Sequence, residues 1–300
     1  MSDLRSFEEF EHIWFRSATT VPLRLRCLWG FLVTVGQNII TALMQSMETS
    51  IVRFETLGST NTEAANWAMQ GAAEGFCIVA DEQTAGRGRL DRGWISPKGA
   101  GLYLSIVLRP VLEHRSLPLI TLMASLAVRD ALSVLAGIQA DIKWPNDVLV
   151  GERKICGILA EVIETTVGRA VVVGIGINVA NGSFPPELID SATTVEAVTG
   201  VVPDRERLIE LLLLALSDRY DVLQAQNGEA VTLDAWCSAS SFAYGKSVVV
   251  IDGQQRCEGV TCGLERDGAL RLKTCKGEIR TIRAGDVIAV RSASDRASGH

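Results

Sequence analysis

Closely spaced metal-binding residues are missing from this sequence. Its seven cysteines, at 27, 77, 156, 237, 257, 262 and 275, form no Cys-x-x-Cys pair, and its three histidines, His12, His114 and His300, are isolated. A structural zinc site needs neighbouring thiolates and imidazoles, so no protein metal site is expected. The odd cysteine count suits a reducing compartment better than a disulfide framework, and Cys77 and Cys156 sit in apolar runs as small core residues. Basic charge is not in excess: Lys and Arg number 29 against 35 Asp and Glu, a net charge of −6. That balance argues against a domain built to hold a nucleic-acid duplex. The Walker A spacing, Gly-x4-Gly-Lys-Ser/Thr, does not occur. An apolar stretch, Leu28 to Met44, follows Arg24 and Arg26, but it is shorter than the roughly 20 residues of a spanning helix. Gln37 and Asn38 also interrupt it. It carries no helix-turn-helix pattern. Residues 1–46 therefore read as an extension outside the fold, with Met47 as an alternative start.

What remains has an ordinary globular composition, 47% hydrophobic and 21% charged over 300 residues, enough for one large domain and a small one. IVRFETLG (51–58) alternates as a strand does. Thr60-Asn61-Thr62-Glu63 then has the form of a capping box, with Thr60 as the cap of a helix to about Gln70. FCIVADEQ (76–83) is a buried-strand pattern that empties into the loop TAGRGRLDRGW (84–94), and GLYLSIVLRP (101–110) is a further strand. An apolar helical stripe covers 117–136 and stops at Gly137. IKWPNDVLV (142–150) is a strand broken by Pro145, and ICGILAEVIE (155–164) and AVVVGIGINVA (170–180) are two more. Helices follow over about 204–226 and 229–240. From Lys246 onward, five short strands divided by Gly and charged turns read as a small β-barrel. Strands and helices of the large unit lack strict alternation, so its class is α+β, a mixed sheet backed by helices. The domain reading is 1–46 extension, 47–243 catalytic unit, 244–292 barrel and 293–300 tail.

Three segments carry chemistry. Gly86-Arg87-Gly88-Arg89-Leu90-Asp91-Arg92-Gly93-Trp94 combines glycines, which let the backbone turn its N–H groups inward, with arginines suited to carboxylate and phosphate. It is either an anion cradle or a solvated loop. In Lys143-Trp144-Pro145-Asn146-Asp147, a lysine among apolar residues either meets an anion or snorkels to the surface. Gly174-Ile175-Gly176-Ile177-Asn178 places glycines in a buried strand, for close approach of a ligand or for tight packing.

Together these segments resemble the biotin–protein ligase family, over about Phe54 to Arg291. GRGRLDRGW matches its Gly-Arg-Gly-Arg-x-x-Arg-x-Trp signature and KWPND its second hallmark. Gly-Ser-Thr-Asn (58–61), Lys-x-x-Gly-Ile-Leu (154–159) and GIGIN fall in the family's order, and the barrel is similar to its SH3-like appendage. The likeness is to the short form without a DNA-binding domain. One departure is Asp91, where many members have glycine.

The resemblance implies a synthetase-like fold and a cytoplasmic, ATP- and Mg2+-dependent ligase. Such an enzyme makes biotinyl-5'-AMP and transfers biotin to a lysine of a biotin carboxyl carrier domain. Lys143 and Arg89 are the implied catalytic residues, Lys143 bridging carboxylate and α-phosphate. Ser59, Thr60, Asn61, Gln83, Arg87, Gly88, Arg89 and Lys143 are the implied biotin contacts, and Arg92, Trp94 and Asn178 the nucleotide contacts. Asn146 or Asp147 would orient Lys143 or magnesium. No DNA or membrane partner is expected, and an exposed sheet edge would allow a homodimer. The nearest rival, lipoate–protein ligase, has an Arg-Arg-x-Ser-Gly-Gly-Gly signature that is absent here.

Overall fold

The computed structural model describes residues 47–252 and 255–289. The readings of residues 1–46 and 293–300 fall outside the described residues.

A seven-stranded mixed sheet organises the larger part. Its strands are β1 (Ser50–Leu57), β2 (Phe76–Gln83), β3 (Gly101–Leu108), β4 (Asp141–Lys143), β5 (Asp147–Val150), β6 (Arg153–Thr165) and β7 (Gly168–Asn178). In space they run β1-β2-β3-β7-β6-β5-β4. β1 and β2 are parallel because α1 (Thr60–Met69) carries the chain back between them. Every other pairing in this sheet is antiparallel.

Strand alternation decides what each face of the sheet meets. On β3 and β7, Leu102, Leu104, Ile106, Val173, Ile175 and Ile177 join one large apolar core. That core includes α2 (Leu119–Ala136), α4 (Arg205–Gln224) and α5 (Gly228–Ala239). α2 stops at Gly137, which adopts φ +65° as a left-handed cap. α2 is apolar enough to cross a membrane by composition, but most of it is buried against the sheet and α4. A short helix, α3 (Val195–Thr199), precedes α4. The opposite face is only partly covered: Ala64 and Ala68 of α1 pack on Ile78, Val107, Ala170 and Val172. Beyond the first turn of α1 this face lies open.

The helix start differs from the sequence expectation. Ser59, not Thr60, is the N-cap, its Oγ accepting from the Thr62 amide. Thr60 is the first helical residue, and its hydroxyl donates to Gln83 at 3.0 Å instead. Glu63 accepts from Trp67 Nε1 rather than closing a capping box. Both Ser and Thr make good caps, and the tertiary partner on β2 selects between them.

The C-terminal part is a five-stranded antiparallel SH3-like barrel. It comprises β8 (Tyr244–Asp252), β9 (Gln255–Leu264), β10 (Leu270–Lys273), β11 (Ile279–Ile282) and β12 (Asp286–Ala289), ordered β11-β10-β9-β8-β12. It is joined to the large part by a buried bond, the Trp144 indole N–H donating to the Gly268 carbonyl at 2.9 Å. Trp144 is 3% exposed, so water cannot substitute. We expect Trp144→Phe to cost about 1–2 kcal/mol by stranding that carbonyl. A fall in the urea midpoint at constant m-value would register this, and an unchanged midpoint would show that the bond carries no stability.

Candidate active site

The open part of the sheet face becomes a cavity because three strand positions there lack side chains. Along β7, Val172 packs under α1, and the next residues on its face are Gly174 and Gly176. Across the register, Gly157 pairs with Gly176 and Ser105 with Gly174. A Cβ on Gly174 would overlap Asn61 Oδ1, and one on Gly176 would overlap the Trp94 indole. On Gly157 it would sit 2.9 Å from Trp94 and 3.0 Å from Lys154. These glycines therefore mark close approach by other side chains.

The cavity measures about 280 Å³. Of the sequence-proposed site residues, Ser59, Thr60, Asn61, Gln83, Arg87, Gly88, Arg89, Arg92, Trp94 and Asn178 all line it, as do Asn146 and Asp147. The anion loop, the KWPND segment and the GIGIN strand thus meet in one place: β7, β6 and β5 are neighbours, and Trp94 lays the loop over Gly157 and Gly176.

One end is lined by neutral polar side chains, Ser59, Thr60, Asn61 and Gln83. Gln83 Oε1 accepts from the Thr60 amide at 2.8 Å and from its hydroxyl at 3.0 Å, while Gln83 Nε2 donates to Ser96 Oγ at 2.8 Å. The buried Ser105 hydroxyl donates to Asn61 Oδ1 at 2.6 Å. Asn61 Nδ2 donates to the Leu159 carbonyl at 3.1 Å and to Glu161 at 2.9 Å. Both amide hydrogens of Asn61 are therefore spent on scaffold, and this residue holds the wall rather than offering donors. Asn178 is similar, its Nδ2 donating to the Thr193 carbonyl at 3.1 Å.

The other end is charged. The 84–94 loop folds as a hairpin, with Gly88 N to Arg92 O at 2.7 Å and Trp94 N to Gly86 O at 2.9 Å. Leu90 and Asp91 turn it at φ +56° and +57°. This left-handed turn accounts for the departure at Asp91, a residue type that tolerates the region better than most. Arg87 forms a two-pronged pair with Glu161, at 2.6 and 3.1 Å. Arg92 pairs with Asp286 of the barrel, which also lines the cavity. Arg89 makes no ion pair among the described residues and donates one bond, to Asn146 Oδ1 at 3.2 Å. Burial lowers its pKa, opposed by Asp286 and Asp147, and the guanidinium stays charged.

Lys143 reaches this end of the cavity through Asp147: its ammonium lies 3.2 Å from that lining carboxylate. Lys143 ends β4, the sheet's edge strand, and Asp147 starts the neighbouring β5. Lys154, at the start of β6, lines the cavity directly. Its Nζ lies 2.6 Å from Asp147 and 5.2 Å from the centroid of the Trp94 ring. The sequence signal for it was the Lys-x-x-Gly-Ile-Leu run, read only as support for the resemblance. Burial alone would raise the Asp147 pKa, but Lys154 and Lys143 together hold it below the usual carboxylate range. Among the described residues no group of three or more His, Cys, Asp or Glu is placed to hold a metal ion.

Known proteins resemble the chain throughout this region. The model described as Biotin/lipoate A/B protein ligase family matches residues 54–178, and that described as Biotin protein ligase C terminal domain matches 244–289. The biotin--[acetyl-CoA-carboxylase] ligase of Mycobacterium tuberculosis is 35% identical over 78% of this chain and 86% of its own. The bifunctional ligase/repressor BirA of Bacillus subtilis is 36% identical over 79% of this chain and 73% of its own. A biotin protein ligase from Aquifex aeolicus, solved with biotin and ATP, superposes with a TM-score of 0.71 at 31% identity, covering 82% of this chain and all of that one.

The shared carboxylate supports a pH-dependent prediction. A carboxyl group with a lowered folded pKa stabilises the protein above its unfolded value, near 4, and the benefit disappears as pH falls through the folded value. Asp147→Asn should therefore cost about 2 kcal/mol at pH 7, and the deficit should shrink below about pH 4. Chemical denaturation at pH 7, 5 and 3.5 checks this; a deficit independent of pH would assign the loss to packing.

Proposed function

The chain belongs to the biotin protein ligase family, and we infer from this that it uses ATP to activate biotin and attaches it to a lysine of a carboxylase carrier domain. In the first step a carboxylate oxygen of biotin bonds to the α-phosphorus, the bond to the β-phosphate breaks, and pyrophosphate leaves. In the second a carrier lysine amine bonds to the acyl carbon, and AMP leaves with the electrons of the broken anhydride bond. The ureido ring of biotin suits the hydrogen-bonded end at Ser59, Thr60 and Gln83, and its carboxylate would then point at the charged end.

The observation that carries this reading is the convergence of Arg89 and the Lys143–Asp147–Lys154 cluster on one cavity, beside the arginine hairpin. Two anions must approach each other for adenylation, and fixed cations in a partly dry site offset their repulsion as charge develops. Lys143 keeps the bridging role that the resemblance implies, and Lys154, held between the same Asp147 carboxylate and the Trp94 face, adds a second cation beside it. Arg89 is the arginine free to clamp the acyl phosphate. Arg92 and Asp286 close the nucleotide end, where the arginine loop meets the barrel. Magnesium fits best as the counter-ion of the triphosphate, since the cavity's best carboxylate, Asp147, is already committed to two ammonium groups. The reducing, ATP-rich cytoplasm suits the free cysteines and the substrates.

Biotin-stimulated ATP–pyrophosphate exchange tests the assignment. Lys143→Ala should lower the exchange rate by about 10²-fold or more, the usual scale for one lost transition-state donor, and Lys154→Ala should lower it by less. The reverse order would hand the central role to Lys154. Stimulation by lipoate and not by biotin would overturn the substrate.

A further inference from the structure

Glu161 has no role in the chemistry above, and its position calls for one. It lies on β6, opposite Val172 in register, and its side chain is 25% exposed. An acidic group beside a site for carboxylate and phosphate repels both ligands, so it needs a compensating reason to be there. Its contacts supply one. Both terminal nitrogens of Arg87 donate to it, at 2.6 and 3.1 Å, and Asn61 Nδ2 donates to the same carboxylate at 2.9 Å. One side chain therefore ties the glycine-rich loop, the first turn of α1 and the sheet together.

The rest of the loop is held at other points: by its hairpin amides, by Arg92 on Asp286, by Arg89 on Asn146, and by Trp94 against Gly157 and Gly176. Glu161 cancels the charge of Arg87 and occupies its guanidinium fork, so that this arginine adds little net attraction for a substrate anion. We propose that Glu161 is a positioning residue: a latch that seats the 86–94 loop through Arg87 and so sets where Arg89 stands at the cavity. The sheet-bound carboxylate thus sets the height of the loop, while Arg89 and the two lysines on Asp147 supply the charge. The role rests on the ligase reading above, although the latch itself is a property of the ligand-free protein.

The variants are Glu161→Gln, which keeps an acceptor for Asn61 but loses the ion pair, and Arg87→Met, which removes the other partner. Hydrogen exchange of the 86–94 amides in ligand-free protein should quicken by about tenfold in either variant, the scale of one charge-assisted two-pronged bond. The double variant should be no faster than either single one, because both remove the same contact. In exchange kinetics the Glu161→Gln effect should fall mainly on KM for biotin, with a much smaller change in kcat, and Glu161→Asp should recover part of the loss. Unchanged loop exchange in Glu161→Gln, with biotin still used by the wild type, overturns the latch alone. A further loss when Glu161→Gln is added to Arg87→Met also overturns it, by showing that Glu161 meets substrate directly. If Glu161→Gln fails to fold, Arg87→Met with Glu161 intact still decides the question. A wild type that ignores biotin would instead defeat the functional reading and leave the exchange comparison valid.

Discussion

The site depends on a stretch of sheet face that has no side chains. Residues 157, 174 and 176 point to the same side of β6 and β7, and each is glycine. Two larger groups, the Asn61 amide and the Trp94 indole, come down onto the bared backbone. That contact fixes the first turn of α1 at one end and the arginine loop at the other. The cavity is the space left between them. Any side chain larger than hydrogen would force one of the two groups away, since a strand within a seven-stranded sheet has little freedom to retreat.

The charges follow from that geometry. The cavity gathers Arg87, Arg89, Arg92 and Lys154, together with Asp147 and Asp286, and most of the cations are already paired. Pairing stores each cation in a defined orientation, so that little reorganisation is required when an anionic ligand arrives. Asp147 does this for two ammonium groups, each of which helps to keep it ionised despite burial. The barrel takes part through Asp286 and through the Trp144–Gly268 bond, which ties it to the KWPND turn. Mechanical attachment and active-site closure thus run through neighbouring residues.

Much of this was legible in the residues. The strands at 76–83 and 101–110, the helix ending at Gly137 and the five short strands after Lys246 follow from period and punctuation, which are local properties. The arginine loop, KWPND and GIGIN stood out for the same reason: each is a short run whose composition makes physical sense by itself. The helix cap was misread because Ser59 and Thr60 are nearly equivalent caps, and a glutamine 23 residues away settles the matter.

The lysines show where such reading stops. By local pattern, Lys143 beside tryptophan and proline is the more conspicuous of the two, and Lys154 follows an ordinary turn. That both meet at one carboxylate depends on strand order, because β5, which carries Asp147, lies between β4 and β6. Likewise, nothing local to 161 or 87 says that the two side chains meet across 74 positions of chain. The sequence alone determined which residue types and turns exist, since those follow from nearest-neighbour sterics and periodicity. The fold alone decided which cations share a carboxylate and which carboxylate restrains the arginine loop, because charge pairing acts through space and is indifferent to distance along the chain.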